Sequence, residues 1–358
     1  MGGKPKPTPD FGELEKVITG QKRPSRVHLV ELGIDQEVVR FIIENVFGQE
    51  WVPNTEQTRS QYARQHVTFY ARMGYDFATA WAGFDNMPQF KGRKAADTAQ
   101  LSRGERHWVE EGGGIVKDWS DFERIAWDKI TPNFSWLDEM RRVLPDGMKL
   151  VVGTTVFEMI LERFMGYQDL FLLSVDNPQL VEAVFTAWGQ KVYDFYRQAI
   201  QYPEVGALFH ADDLGFKTAT LMSPEFLRKN VFPWFRQYVA LAHEQGKTYW
   251  YHCCGNVLEV MDDLIEDVGI DAFHSFQDVI IPIGEFLDRY GDKVAALGGV
   301  DMDKLARMEE AELRRYVRTI LGECMPGRFA LGSGNTVANY IPVENYLAMV
   351  DEARHWPG

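Results

Sequence analysis

The chain has 358 residues, 45% hydrophobic and 13% aromatic, with 10 Trp and 23 Phe, which is ample material for a large core and excludes a disordered composition. Its 52 acidic and 38 basic residues give a formal net charge of -14 with the acids spread along the chain, which argues against a nucleic-acid-binding face. No apolar stretch reaches the roughly 20 residues of a membrane span, Met1 to Pro9 lacks the apolar core of a signal peptide, and only three cysteines occur, two of them adjacent, so a cytoplasmic protein without a disulfide framework is expected.

Residues 1–25 read as an N-terminal arm, and residues 26–358 as a single domain. Eight short apolar or β-branched runs within it are candidate parallel strands: residues 27–31, 76–80, 150–154, 206–211, 248–252, 272–275, 294–297 and 329–332. Residues 81–149 form a long excursion rich in Gly, Trp and charge, with Gly112-Gly113-Gly114 and Trp119 in it, expected to decorate one end of the fold. Further along, Ser223-Pro224-Glu225 is an N-cap, an N1 proline and an early acid opening a helix that runs to Gly246. Asn256 caps a helix over 257–268 that Gly269 stops, a helix over 282–290 ends at Gly291, and a last one covers 342–356. Strand and helix alternate with short turns from residue 206 onward. Eight strands in that pattern imply an α/β fold, a (β/α)8 TIM barrel with an N-terminal extension and an elaborated mouth.

In a parallel barrel the functional side chains sit at the C-terminal strand ends. Here those positions hold Glu31, Thr154 and Thr155, Asp212 and Asp213, His252 and Cys254, His274 and Ser275, Asp301, and Ser333 and Asn335. His252 and Cys254 are two apart, so extended backbone points both the same way and Cys253 the other. An imidazole and a thiolate on one side can grip a soft metal, zinc first of all, and Gly255 lets the chain turn away. Asp212 and Asp213 bind substrate, orient a ligand or cap the next helix. His274 is a ligand, a general base or a satisfied core histidine, and His210 is structural. Gly298-Gly299 allows close approach of a ligand to backbone before Asp301 but lacks the Gly-x-Gly-x-x-Gly pattern of dinucleotide sites.

Asp213-Leu214-Gly215, Ser223-Pro224-Glu225-Phe226, His252-Cys253-Cys254-Gly255-Asn256, Gly298-Gly299-Val300-Asp301 and Ile341-Pro342-Val343-Glu344-Asn345 together resemble the uroporphyrinogen decarboxylase-like superfamily over residues 26–356, more specifically in the C-terminal half. Decarboxylases of that family need no cofactor and grip porphyrinogen carboxylates with an Arg-Gln-Ala-Gly-Arg segment. Val30-Glu31-Leu32-Gly33-Ile34 stands there instead, an acid where guanidinium forks are needed. The corrinoid-dependent methyltransferase branch carries a His-x-Cys-Gly motif that binds zinc, and His252-Cys253-Cys254-Gly255 matches it.

That resemblance implies a zinc-dependent methyltransferase moving a methyl group between a small methylated compound, such as a methyl ether, and a corrinoid protein carrying cobalamin. His252 and Cys254 would hold the metal, with Asp212, Asp213 and His274 completing the shell or handling protons. Glu31, Thr154, Asp301, Ser333 and Asn335 would contact substrate. One departure stands out: the coenzyme M methyltransferases take a third ligand from a Gly-Cys-Gly segment, and this chain reads Gly332-Ser333-Gly334. His274, Asp213 and Glu31 are the candidates to replace that thiolate, while Cys324 is expected to lie too far from the mouth. A decarboxylase and a non-catalytic ligand-binding barrel are the alternative functions, and a homodimer is an open assembly.

Overall fold

The computed structural model describes residues 8–90, 92–109 and 114–357; residues 1–7 of the expected arm, and Gly112 and Gly113 of the glycine run, lie outside the described residues. Its strands are β1 (Phe77–Trp81), β2 (Gly83–Asp85), β3 (Gly92–Ala96), β4 (Glu105–Val109), β5 (Thr131–Asn133), β6 (Lys149–Gly153), β7 (Val205–Ala211), β8 (Thr248–His252), β9 (Ala272–His274), β10 (Ala295–Val300) and β11 (Phe329–Ser333). Seven of them form one parallel sheet in the order β1-β6-β7-β8-β9-β10-β11. Its central strands are buried along their whole length, as a sheet covered by helices requires.

The first expected strand is present in place but not as a ladder. Leu29 makes a single parallel bridge to Leu331, with the Val30 N–H donating to the Leu331 carbonyl and the Leu331 N–H to the His28 carbonyl, each at 2.9 Å. On the β1 side a hydroxyl, Thr79 Oγ1, reaches the Glu31 carbonyl at 3.3 Å. The chain is an α/β TIM barrel, its mouth overlaid by the antiparallel pairs β2–β5 and β3–β4. Arg103 ties the β3–β4 hairpin to Asp35 and Glu37, and Arg106, paired within the hairpin to Asp97, ties it to Asn339 beyond β11.

Alternation along each strand fixes what faces the barrel axis. Ala207, Phe209 and Ala211 of β7, Trp250 of β8, Phe77 of β1 and Val30 share one buried cluster inside the barrel. Trp250 sits at its centre, within 6.1 Å of the Phe11, Phe77 and Phe209 rings. Burying such a side chain is worth about 2–3 kcal/mol. Phe11, Leu14 and Ile18 come from the helix Phe11–Ile18, capped by Asp10, which closes the base of the barrel.

Two helices differ from expectation. The run opened by Ser223, which accepts from the Phe226 N–H at 3.2 Å, is split into Pro224–Asn230 and Phe232–Glu244. Pro233 supplies no N–H to the Lys229 carbonyl and its ring crowds that group, so the helix restarts there. Residues 257–268 are a 3-10 turn, Leu258–Val260, and a π-helical turn, Asp263–Val268, in place of one regular helix. Asn256 still caps the start, accepting from the Leu258 N–H at 3.1 Å, and Gly269 still ends it at φ +84°. Among the described residues no helix is long and apolar enough to cross a membrane.

Candidate metal centre

Continuing the inward set of β8 beyond Trp250 places His252, buried at 4% exposure, at the mouth. Along β7 the same alternation leaves Ala211 inward, sends Asp212 outward and returns Asp213 inward. Asp213, His252 and Cys254 converge: one ligand atom from each lies within 4.8 Å of the others. Cys254 Sγ is 3.5 Å from His252 Nε2, and Asp213 Oδ1 is 3.6 Å from the same nitrogen. The Cys254 backbone N–H donates to Asp213 Oδ1 at 2.7 Å, locking the two loops together. Those loops can approach only because both carry glycine. A Cβ at Gly215 would lie 2.6 Å from the Gly255 carbonyl carbon, and Gly255 has φ +81°.

The histidine protons follow from the hydrogen-bond network. His274 Nε2 lies 3.0 Å from the Ser333 carbonyl oxygen, which can only accept, so that nitrogen carries the proton. Burial pushes the His274 pKa well below its ordinary value, so its Nδ1 is a bare acceptor. His252 Nδ1, 2.6 Å away, is therefore the donor. Burial holds His252 at about 3, so the ring is neutral and its Nε2 is a lone pair aimed at Cys254 and Asp213. A carboxylate, a thiol sulfur and an imine nitrogen thus face one another. An ion with ligand bonds of about 2.0–2.3 Å in tetrahedral array spaces its ligand atoms about 3.3–3.8 Å apart, so the donor set fits zinc in chemistry, and the two separations from His252 Nε2 fall in that range.

Of the three candidates for the third ligand, Asp213 alone is brought to the pair. Glu31 lies on the opposite strand face from Val30, buried, where it bonds Ser333 through the backbone N–H (3.1 Å) and through the hydroxyl. Burial raises its pKa to about 8 against the lowering effect of the Ser333 bonds. Ser333 is thereby turned away from the metal trio. His274 spends both nitrogens on His252 and Ser333, which makes it the residue that orients His252 and leaves neither a ligand nor a free base. Gly298, at φ +101°, makes room for that ring: a Cβ there would lie 2.9 Å from it.

The remaining expected residues divide. Asp212 is fully committed away from the site, accepting from the backbone N–H groups of Val156, Phe157 and Glu158 at 2.8–3.0 Å and pairing with His210 Nε2 at 2.7 Å. His210 is structural, its other nitrogen on the Tyr196 hydroxyl at 2.9 Å. Asp301 caps the helix Met302–Arg307 through the Asp303 and Lys304 N–H groups, and also accepts from Asp278. Thr154 is buried at the end of β6, its carbonyl accepting from the Ala211 N–H. Asn335 does reach the trio, with Nδ2 3.0 Å from Cys254 Sγ. Cys324 is buried at the end of the helix Glu310–Cys324, on the base side with Arg328, whose Nε donates to the Ile18 carbonyl.

One residue escaped the sequence analysis. Burial, then repulsion from Asp213 and Asp212, raises the Glu158 carboxyl to about 9, so it is a protonated acid next to the site at neutral pH. Its place in a helical turn after β6, rather than on a strand end, hid it; a carboxyl four residues past Thr154 is the only signal the sequence offers.

The family described as Uroporphyrinogen decarboxylase (URO-D) matches residues 139–356, more than half of the chain. No curated protein matches. Among solved structures, a methyltransferase from Methanosarcina mazei shares 13% identity and a TM-score of 0.68, covering 97% of this chain and 98% of its own. A protein described as a vitamin-B12 independent methionine synthase from Listeria monocytogenes shares 12% identity and a TM-score of 0.52, covering 94% and 99%. At these identities the structural likeness shows the common barrel. The extent of the family match is what settles the assignment: this chain belongs to the uroporphyrinogen decarboxylase (URO-D) family.

Proposed function

We propose that the chain is a zinc-dependent methyltransferase that moves a methyl group between a small methylated compound, of the methyl-ether kind, and a corrinoid protein carrying cobalamin. The observation that carries this is the convergence of three lone-pair donors, Asp213 Oδ1, His252 Nε2 and Cys254 Sγ, with the proton of His252 held on its far nitrogen. A methyltransferase that shares the whole fold supports it.

Asp213, His252 and Cys254 would hold the metal. Zinc, when bound, supplies Lewis acidity toward the atom from which the methyl group leaves or to which it goes. Its charge would also offset the two anionic ligands that burial disfavours, since burial raises both the Asp213 and the Cys254 pKa. His274 fixes the ring of His252 in the ligand tautomer, the arrangement that metal-binding histidines generally share. Glu158, whose carboxyl burial above all keeps protonated, would be the acid to give a proton to a departing oxygen. A porphyrinogen decarboxylase would instead need cationic groups where Glu31 lies buried against Ser333.

The test is methyl transfer from a panel of methylated donors to a reduced corrinoid, followed by the appearance of methylcobalamin absorbance. We expect zinc-dependent turnover that Cys254→Ala lowers at least about 100-fold with the circular dichroism unchanged. Equal turnover by metal-stripped protein, or CO2 release from uroporphyrinogen in its place, would contradict the proposal.

A further inference from the structure

The loop after β11 places an amide against the sulfur of the metal centre. Asn335 Nδ2 is 3.0 Å from Cys254 Sγ, and an amide nitrogen can only donate, so an N–H points at the sulfur. The amide cannot turn over, because the Thr336 backbone N–H donates to Asn335 Oδ1 at 2.6 Å. The loop itself is anchored twice. The Gly334 N–H donates to the Val300 carbonyl at 2.8 Å, and the Ser333 hydroxyl sits between the Asn335 carbonyl and Glu31. Ser333 has one hydroxyl proton for those two neighbours, so a protonated Glu31 supplies the second hydrogen.

A hydrogen bond to an anion favours the charged form and draws density from it. Sulfur nucleophilicity falls along with basicity. In a protein that handles reactive methyl groups, a metal-binding thiolate is exposed to alkylation: an S–CH3 bond forms at the cysteine, the C–X bond of the donor breaks, and the electron pair leaves with X. Resting on the metal centre described above, we propose that Asn335 is a positioning residue for Cys254. Its N–H holds the sulfur in place and restrains it from accepting the methyl group, so that the thiolate remains a ligand. The segment that supplies a third thiolate in coenzyme M methyltransferases here supplies a hydrogen-bond donor to the one thiolate that remains.

Two readouts other than turnover test this. In cobalt(II)-loaded protein, Asn335→Leu should move the thiolate-to-cobalt charge-transfer band to longer wavelength. In zinc-loaded protein, mass spectrometry after methyl iodide treatment should show Cys254 methylated about five- to tenfold faster than in the wild type. Asn335→Gln, which keeps an amide donor, should recover part of both effects. Asn335→Asp keeps the acceptor used by Thr336 and replaces the N–H with an anionic oxygen, so it should move both readouts in the same direction in a loop that is still tied down. A band and a methylation rate unmoved in both the Leu and Asp variants, with cobalt bound as in the wild type, overturn the role of Asn335 alone. Absence of any cobalt band in the wild type overturns the metal centre, and this role with it.

Discussion

The two ends of the barrel each bury a histidine beside carboxylates, and they do opposite things with it. At the base, His28 Nδ1 meets Asp76 Oδ2 at 2.6 Å, Arg26 covers the other oxygen of Asp76, and the Asp10 N–H adds a third donor at 2.7 Å. Neighbouring Glu13 is matched in the same way: burial alone would raise its pKa, and the bonds from Ser25 and Lys22 outweigh this and hold it at about 2. Both oxygens of Asp76 are met by donors, His28 Nε2 is left without a hydrogen-bond partner 3.9 Å from Glu13 Oε2, and the cluster ties the Phe11–Ile18 helix to the strands it closes. At the mouth, His252, Cys254 and Asp213 turn lone pairs toward one another. Residue type alone does not distinguish a structural histidine from a ligand; whether the ring nitrogen facing the cluster gives a proton, as His28 Nδ1 does to Asp76, or offers a lone pair, as His252 Nε2 does, sets the two apart.

Breaking the base should cost stability and spare the metal. Asp76→Asn removes the anion that Arg26 and His28 share, and we expect a loss of about 3 kcal/mol in urea unfolding with zinc content unchanged. Breaking the support beneath the mouth should weaken the metal. His274→Phe takes away the acceptor that holds the His252 proton on Nδ1, so zinc affinity in competitive titration should fall about 10- to 100-fold, beside a loss of stability of about 1–3 kcal/mol from the His252 N–H and Ser333 carbonyl left unpaired. A pH-resolved effect concerns Glu31, held at about 8 by burial. Between the ordinary carboxyl pKa and that value the folded protein binds a proton that the unfolded chain has lost, so this group's contribution is complete at low pH and fades as pH rises toward 8. Glu31→Gln should flatten the fall of stability over that window by up to about 1.4 kcal/mol per pH unit, measured as unfolding midpoints against pH.

Most of the barrel was legible because parallel strands announce themselves as apolar runs and the later helices carry caps. Residues 248–252 were delimited as the structure has them, and the neighbouring strands differ by a residue or two at their ends, β10 by three. The breaks that the sequence hid are local: Pro233 restarting a helix, and the π-helical turn before Gly269. In the site, the His252 and Cys254 pair followed from two-residue alternation. Asp212 and Asp213 could not be separated by type, because only the end point of β7 decides which of two adjacent carboxylates faces the axis. Ser333 was read in place of a ligand, and its actual partner, Glu31, is 302 residues away in sequence. A contact of that separation leaves no trace in local spacing.

The central claim is that Asp213, His252 and Cys254 form one metal site. Elemental analysis of purified wild-type, Cys254→Ala and Asp213→Asn proteins tests it most directly. We predict about one zinc per chain in the wild type, little in Cys254→Ala, and a reduced content in Asp213→Asn. Equal metal in all three proteins, or a metal-free wild type that transfers methyl groups at full rate, would contradict it.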